Sequence, residues 1–459
     1  MTSLLKEIRK LKNKNSFFSQ VATLTSGTVV AQIILVLSAP ILTRLYTPAE
    51  MGVLASLTAI VGILGVVAAG RYDLAVVLPD NDRDALLVAL VGVLFAAGLA
   101  SLTLVAFGLF GHWINPIVGL GDLHRFWPLL IAPMVFFVGV EQVLQRLLIR
   151  RRRYGALATT SVVQQGSVAA LKIGAGFLGA GTPGLVTGAF MGHIVRTGGL
   201  LVGGRSVITA NKREITFAGL HAQAWRYRKF PLVSSWSGFL NTASTQLPVI
   251  LFASLFSPAV AGFYALSHRI LKMPMSLVGG NIGQVFLERA ARARDDKAEL
   301  ARLTSGLYGK MLLFGTLGMS VVTFYGDLLF PLVFGPDWVE AGRFAQWISV
   351  WLIFVFAASP LSSLFSVLER QGEGLVWNSV LLASRLAIIL VGSAMLEHAV
   401  QVMAGYSIIG AVVWLALSVR IMALSGVPAL KTMWLTVRTV APVIVVQFVI
   451  SIFLRGLFL

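Results

Sequence analysis

The amino-acid sequence predicts an all-α polytopic membrane protein: two six-helix bundles related by a pseudo-two-fold along the membrane normal, plus one extra C-terminal helix. Three observations carry this. Of 459 residues, 57% are hydrophobic and 12% charged, where a soluble domain carries about 25% charged residues. Apolar runs of about 20 residues, each enough to cross a hydrocarbon core as a helix, recur along the whole length. And the chain repeats itself: LYTPAEMGVLA from Leu45 returns as LFSPAVAGFYA from Leu255, an offset of 210 at which Gly70 also meets Gly280. Pro and Gly agree in register, and internal duplication is a hallmark of transporters.

The runs place spans at 19–42, 50–70, 85–110, 126–149, 156–178, 183–204, 231–256, 259–287, 304–326, 344–368, 375–396, 400–420 and 436–457. Helices are expected because lipid offers no partner for unpaired backbone groups. Barrel strands would alternate every second residue, and these runs do not. Ahead of span 1, Leu4, Leu5, Ile8 and Leu11 set against Lys6, Arg9, Lys10 and Lys12 suggest an interfacial helix. The first run is too long for the core of a cleavable signal peptide.

The net charge of +18 would suggest nucleic acid in a soluble protein. Here its distribution reads as topology. With the N-terminus in the cytoplasm, 26 of the 37 Lys and Arg fall in cytoplasmic segments. Four, Arg44, Arg125, Arg343 and Arg455, fall on the other side. That is the positive-inside rule, and one missed span would scramble the alternation. Anionic headgroups are a secondary use of the same residues, which makes membrane lipids expected partners and nucleic acid not. The expected division is an N-terminal half 1–204, a basic cytoplasmic linker 205–230, a C-terminal half 231–422 and the extra span 423–459. Six spans per half is an even number. Both halves then enter the membrane in the same direction, as parallel repeats.

Seven basic residues remain inside spans: Arg146, Lys172, Arg196, Arg269, Lys272, Lys310 and Arg385. Carboxylates there are scarce, Glu141 being the clearest. A charge at the bilayer centre costs about 2.5–3.5 kcal/mol on the gentlest scale, so these cations should face a cavity or a partner. Arg146, Lys172, Arg196 and Lys310 lie where their stems can snorkel. Arg269 and Lys272 differ: they lie three apart on one face near the middle of span 8, with His268 beside them and Pro274 following. Proline breaks the local ladder, as in helices lining cavities. Arg385 is mid-span in span 11. Arg269 and Arg385 are therefore the leading candidates for an anion site, with Lys272 assisting. Gln32 in span 1, Gln164 and Gln165 in span 5, Asn241 and Gln246 in span 7, and Gln284 in span 8 are amides that either bridge helices or line a wet path. His193 in span 6 reads as a packing residue rather than a proton relay.

The chain lacks a GxxxxGK[ST] phosphate loop, an HExxH pair and all cysteines, so ATP hydrolysis, Cys-ligated metals and disulfides are not expected. No cofactor is implied and the protein is not expected to be an enzyme. Its longest extramembrane stretch is the linker, too short for a catalytic domain.

APILTRLYTPAEMGVLA (residues 39–55), GRYDLAVVLP (70–79) and AGFYALSHRILKMPMSLVGGNIGQVFLERA (261–290) together resemble the bacterial O-antigen and exopolysaccharide flippases. These are the polysaccharide transporters of the multidrug/oligosaccharidyl-lipid/polysaccharide exporter superfamily. The resemblance covers spans 1–12 and implies two six-helix bundles in a V around a central cavity, in the bacterial cytoplasmic (inner) membrane. It implies alternating-access transfer of undecaprenyl-pyrophosphate-linked oligosaccharide from the cytoplasmic to the periplasmic leaflet, for surface polysaccharide assembly. The family's cationic cavity residues map onto Arg269 and, between spans 1 and 2, onto Arg44. Other polysaccharide assembly proteins would be further partners; the coupling ion is unknown. The alternatives are a lipid II flippase, a multidrug exporter of the same superfamily, and a membrane-embedded glycan-assembly enzyme. The exporter would need intramembrane carboxylates. The enzyme would need larger periplasmic loops than 327–343. Span 13 departs from the usual twelve or fourteen.

Overall fold

The computed structural model describes residues 17–120, 126–211 and 215–458. The suggested interfacial helix at residues 4–11 lies outside them. Among the described residues, thirteen helices have 20 residues or more. They are α1 (Phe17–Leu45), α2 (Pro48–Ala68), α3 (Asp82–Ile117), α4 (Ile131–Arg150), α5 (Tyr154–Phe177), α6 (Gly181–Asn211) and α7 (Ser235–Leu255). There follow α8 (Pro258–Arg292), α9 (Lys297–Phe334), α10 (Val339–Ala358), α11 (Gln371–Met395), α12 (Ala399–Leu424) and α13 (Ala429–Phe458). Each matches one expected span. Ten stretches are long and apolar enough to cross a membrane, which makes this an all-α multi-pass membrane protein. The helices outside those ten are α5, α7 and α8, and they carry most of the polar candidates: Gln164, Gln165, Asn241, Gln246, Arg269, Lys272 and Gln284.

The duplicated text has a structural meaning. Thr47 caps α2: its hydroxyl accepts from the Glu50 N–H at 3.3 Å, and the Glu50 carboxylate accepts from the Thr47 N–H at 2.8 Å. Pro48 fills the first helical position. At the same offset Ser257 caps α8, accepting from the Val260 N–H at 3.4 Å, with Pro258 following. Each copy therefore satisfies orphan N–H groups where a helix starts, and its proline occupies the position that needs no N–H.

Contacts divide the chain into two compact units, Met1–Ser254 and Leu255–Leu459. The first unit thus takes in nearly all of α7. The division by duplication, at 204 and 231, concerns which segments repeat and stays a proposal, as does the pseudo-two-fold.

In the first unit, Gly70 and Arg71 both adopt left-handed conformations, φ 56° and 58°. They turn the chain from α2 into a short helix, Tyr72–Ala75. Tyr72, Ala75 and Val76 there are buried against Val88 of α3, Val143, Leu144 and Leu147 of α4, and Leu200 of α6. Arg150 holds the following loop: it donates to Pro79 O at 2.6 Å, Asp80 O at 3.1 Å and Asp82 Oδ1 at 3.1 Å. The basic run at the end of α4 is therefore structural as well as a topology signal. In the second unit α10 is the central helix, with Phe344, Ile348, Leu352 and Phe356 buried. It crosses α9 at Gly326 and Gly342, where a Cβ on Gly342 would collide with the Gly326 carbonyl oxygen.

Candidate functional site

The second unit gathers cations without a counter-charge. On α8, His268 lies between two aromatic rings. It stacks on Tyr264 at 5.4 Å and 10°, and on Trp351 of α10 at 6.2 Å and 15°. Lys272, one turn further along the same face, is brought close enough to Arg385 of α11 for the two cations to repel. The Arg385 guanidinium carbon sits 4.3 Å from the centroid of Trp351 and 5.4 Å from that of Tyr406 of α12. Those ring faces attract a cation. They cannot accept hydrogen bonds in the plane of the fork, and Arg385 Nε and Nη2 are buried without a hydrogen-bond partner. Trp351, Tyr264 and Tyr406 are all buried.

Arg269 is neighbour to His268 in sequence, and so about 100° round the helix from it. Its side chain is exposed, as is that of Lys272. Among the described residues, no carboxylate pairs with Arg269, Lys272 or Arg385. Three cations on α8 and α11 thus stand unneutralised at mid-helix positions, which is the expected arrangement of charge for an anion site. The structure brings Lys272 and Arg385 together, and it sets Arg269 on an adjoining face. The aromatic support of Arg385 was not expected. It comes from Trp351 and Tyr406 on helices distant in sequence, which no spacing within one span signals.

The first unit does the opposite and neutralises its charges. Glu141 of α4 forms an ion pair with Arg196, its Oε2 lying 3.4 Å from Nε without a hydrogen bond between them, and its Oε1 is 3.0 Å from His193 Nδ1. Arg196 Nη1 also donates to Gln164 Oε1 at 2.7 Å. Arg196 is therefore paired inside the bundle rather than snorkelling, and His193 belongs to an ionic cluster rather than to plain packing. Arg146 faces the buried Asp73 at 3.8 Å. Burial pushes the Asp73 carboxyl above its usual range, against the pull of Arg71 and Arg146.

Gln32 of α1 lines a cavity of about 300 Å³ with Gln164, Gln165, Ser161 and Arg196. Gln246 of α7 is half-buried and lies over Gly62 of α2, where a Cβ would stand 3.0 Å from its Nε2. Asn241 on α7, Gln284 on α8 and Arg44 in the last turn of α1 are exposed. Of these, Gln284 alone shares a unit with Lys272 and Arg385, twelve residues further along α8 than Lys272. Among the described residues no cluster of three or more His, Asp or Glu could hold a metal ion.

A family profile described as polysaccharide biosynthesis protein matches residues 41–343, more than half of the chain. The chain belongs to that polysaccharide biosynthesis family. It is similar to the succinoglycan biosynthesis transport protein ExoT of Rhizobium meliloti (strain 1021), 22% identical over 432 residues, covering 91% of this chain and 82% of the relative. Among solved structures, the lipid II flippase MurJ in an inward closed conformation superposes with a TM-score of 0.65 at 12% identity, covering 95% of this chain and 97% of MurJ. An inward-facing multidrug-resistance MATE transporter of the MOP superfamily gives 0.62 at 12% identity, over 89% and 95% of the two chains. This member of the polysaccharide biosynthesis family thus has the fold shared by MurJ and the MATE transporters, as the sequence resemblance implied.

Proposed function

We propose that the protein is a flippase. It moves undecaprenyl-pyrophosphate-linked oligosaccharide from the cytoplasmic to the periplasmic leaflet of the bacterial inner membrane by alternating access, leaving the substrate chemically unchanged. The observation that carries this is the set of unneutralised cations on α8 and α11. Lys272 and Arg385 repel one another, and bringing them together without a carboxylate is unfavourable until an anion binds. A pyrophosphate supplies that charge, and the planar fork of arginine matches its oxygens. Family membership supports a glycan on the far side of the pyrophosphate.

In this reading Arg269, exposed and unpaired, binds the pyrophosphate first, and Arg385 and Lys272 complete the charge. The half-buried amides Gln32 and Gln246 and the exposed Asn241 and Gln284 supply hydrogen bonds to sugar hydroxyls. Arg44 is a peripheral cation of the path. The lipid tail stays in the bilayer. A multidrug exporter of organic cations has the opposite electrostatic requirement. Lipid II presents the same pyrophosphate, and the family match favours a polysaccharide precursor over it.

The test is surface glycan in cells carrying Arg269→Ala, Arg269→Lys or wild type at matched protein levels. Alanine should abolish display, and lysine should partly restore it, because charge survives without the fork. Normal display by the alanine variant would remove Arg269 from the mechanism.

A further inference from the structure

The second unit has a second cationic place, far from Arg269 along the same helix. α8 and α9 are joined by only four residues, 293–296, yet they do not close on each other. α9 packs instead on α10 and α13. The wedge left between α8 and α9 is a cavity of about 550 Å³. Its walls are Ile282, Val285 and Phe286 from α8 and Leu303 and Leu307 from α9, and its cations are Arg289, Arg302 and Lys310. The spacing is helical on both sides: 282, 285, 286 and 289 share a face of α8, and 302, 306 and 310 share a face of α9. Gly306 lies between the two cations of α9, and a Cβ there would meet only open space.

The charge count is specific. Arg302 is held by Glu299, through Nε to Oε2 and Nη2 to Oε1, both at 2.8 Å. The nearby Glu288 is taken by Arg292. Arg289 and Lys310 have no carboxylate partner among the described residues, so the wedge keeps a surplus of two positive charges. Lys310 lies eight residues, or ~12 Å, beyond Arg302 along α9. The cations therefore run from the hairpin down between apolar walls, where a purely solvated basic loop would keep them at the end. Such a groove suits an amphiphile with a multiply charged head and a hydrocarbon tail. A phosphodiester headgroup offers one negative charge; a pyrophosphate esterified at both ends, to the lipid and to the glycan, offers two, which matches the surplus.

We propose that the wedge between α8 and α9 is a loading site for a polyprenyl-pyrophosphate lipid. This site is separate from the Arg269 group and fills before it. The two places are 20 residues apart on α8, about 30 Å along an unbent helix. On the orientation expected from the charge distribution, the wedge opens at the cytoplasmic leaflet. There it collects the substrate that the proposed flippase goes on to move. The inference rests on that flippase reading for its purpose, but its binding chemistry is testable alone.

The experiment uses the full chain in phosphatidylcholine nanodiscs, with a photo-reactive amino acid replacing Leu303 and undecaprenyl pyrophosphate as the probe. Labelling should saturate with the probe. It should fall at least about tenfold in Arg289→Gln/Lys310→Gln, the loss expected from two cations. It should fall equally in Gly306→Phe, which fills the wedge and leaves every charge in place. Arg269→Ala should leave labelling unchanged. Labelling indifferent to both wedge variants would overturn the proposal. So would equal competition by phosphatidylglycerol, which would make the wedge a general anionic-lipid contact. Unchanged labelling in the wedge variants together with lost glycan display in Arg269→Ala would sink the wedge and keep the flippase. The reverse pattern would keep the wedge as a lipid site and sink the flippase reading at Arg269.

Discussion

Arg196→Met removes the cation of the Glu141–Arg196 pair and keeps the length and apolar bulk of the side chain. The pair is 3.4 Å apart, with side-chain exposures of 24% for Arg196 and 10% for Glu141. At an effective dielectric constant of about 20, charges at that separation attract by ~5 kcal/mol, before the cost of taking them out of water. Removing one partner of a buried pair costs about 3–5 kcal/mol, because the other is left uncompensated. His193 stays beside Glu141 at 3.0 Å, and the adjoining cavity of about 300 Å³ is polar enough to admit water. Both soften the loss, so the expected cost is ~3 kcal/mol. At roughly 2–4 °C per kcal/mol for a unit of this size, the melting temperature of the first unit should fall by about 6 °C or more. Glu141→Gln should cost a similar amount, stranding Arg196 with Gln164. The double variant Glu141→Gln/Arg196→Met leaves no unpaired charge and should recover most of the loss. The assay is thermal unfolding of the full chain in detergent, followed by tryptophan fluorescence and by retention of the monodisperse peak. An Arg196→Met protein melting within about 1 °C of wild type would refute the reasoning. So would a double variant showing the sum of the two single losses.

Two further outcomes follow from the packing and from a buried carboxylate. Gly342→Val drives a side chain into the Gly326 carbonyl and to within 3.0 Å of the Asp327 backbone. It should abolish folded yield, whereas Gly372→Ala, which meets nothing within 4 Å, should leave yield unchanged. Asp73→Asn should raise the melting temperature at neutral pH. Its folded-state pKa is raised from 3.8 by burial, so wild type loses stability as pH rises through the folded value. The gain should therefore vanish in acid, where the native carboxyl is itself neutral. A gain that grew on acidification would contradict the assigned cause.

The spans were legible because lipid imposes a length and a composition on every crossing. Each expected span holds one long helix, although the one at 344–368 breaks after Ala358 into a 3-10 turn, Pro360–Ser363, and a short helix, Leu364–Val367. The ends were less legible: α9 begins at Lys297 rather than 304, and α3 runs to Ile117 rather than 110, since helices continue past the apolar stretch that betrays them. The repeat was legible as text, and its chemistry, a capping hydroxyl followed by proline at a helix start, came only with the structure. The pairing of Glu141 with Arg196 was not. Partners on different helices have no spacing rule, although Glu141 and Arg196 each stand nine residues before a basic residue, Arg150 and Arg205, and so at matched depth. Asp73 was invisible for a different reason. It follows a span in a segment that reads as solvated, and only the left-handed turn at Gly70 and Arg71 folds it inward. Lys310, expected to snorkel from a span end, also lines the wedge, whose other wall comes from α8.

The central claim is that the chain carries a pyrophosphate-linked glycan across a bilayer through Arg269. It is tested most directly in proteoliposomes holding purified protein and a fluorescent undecaprenyl-pyrophosphate-linked oligosaccharide, with a membrane-impermeant quencher added outside. Wild type should move fluorophore from the inner to the outer leaflet well above protein-free liposomes, and Arg269→Ala at equal incorporation should fall to the protein-free rate. Transfer by the alanine variant at the wild-type rate, or no transfer by wild type above protein-free liposomes, would contradict the account.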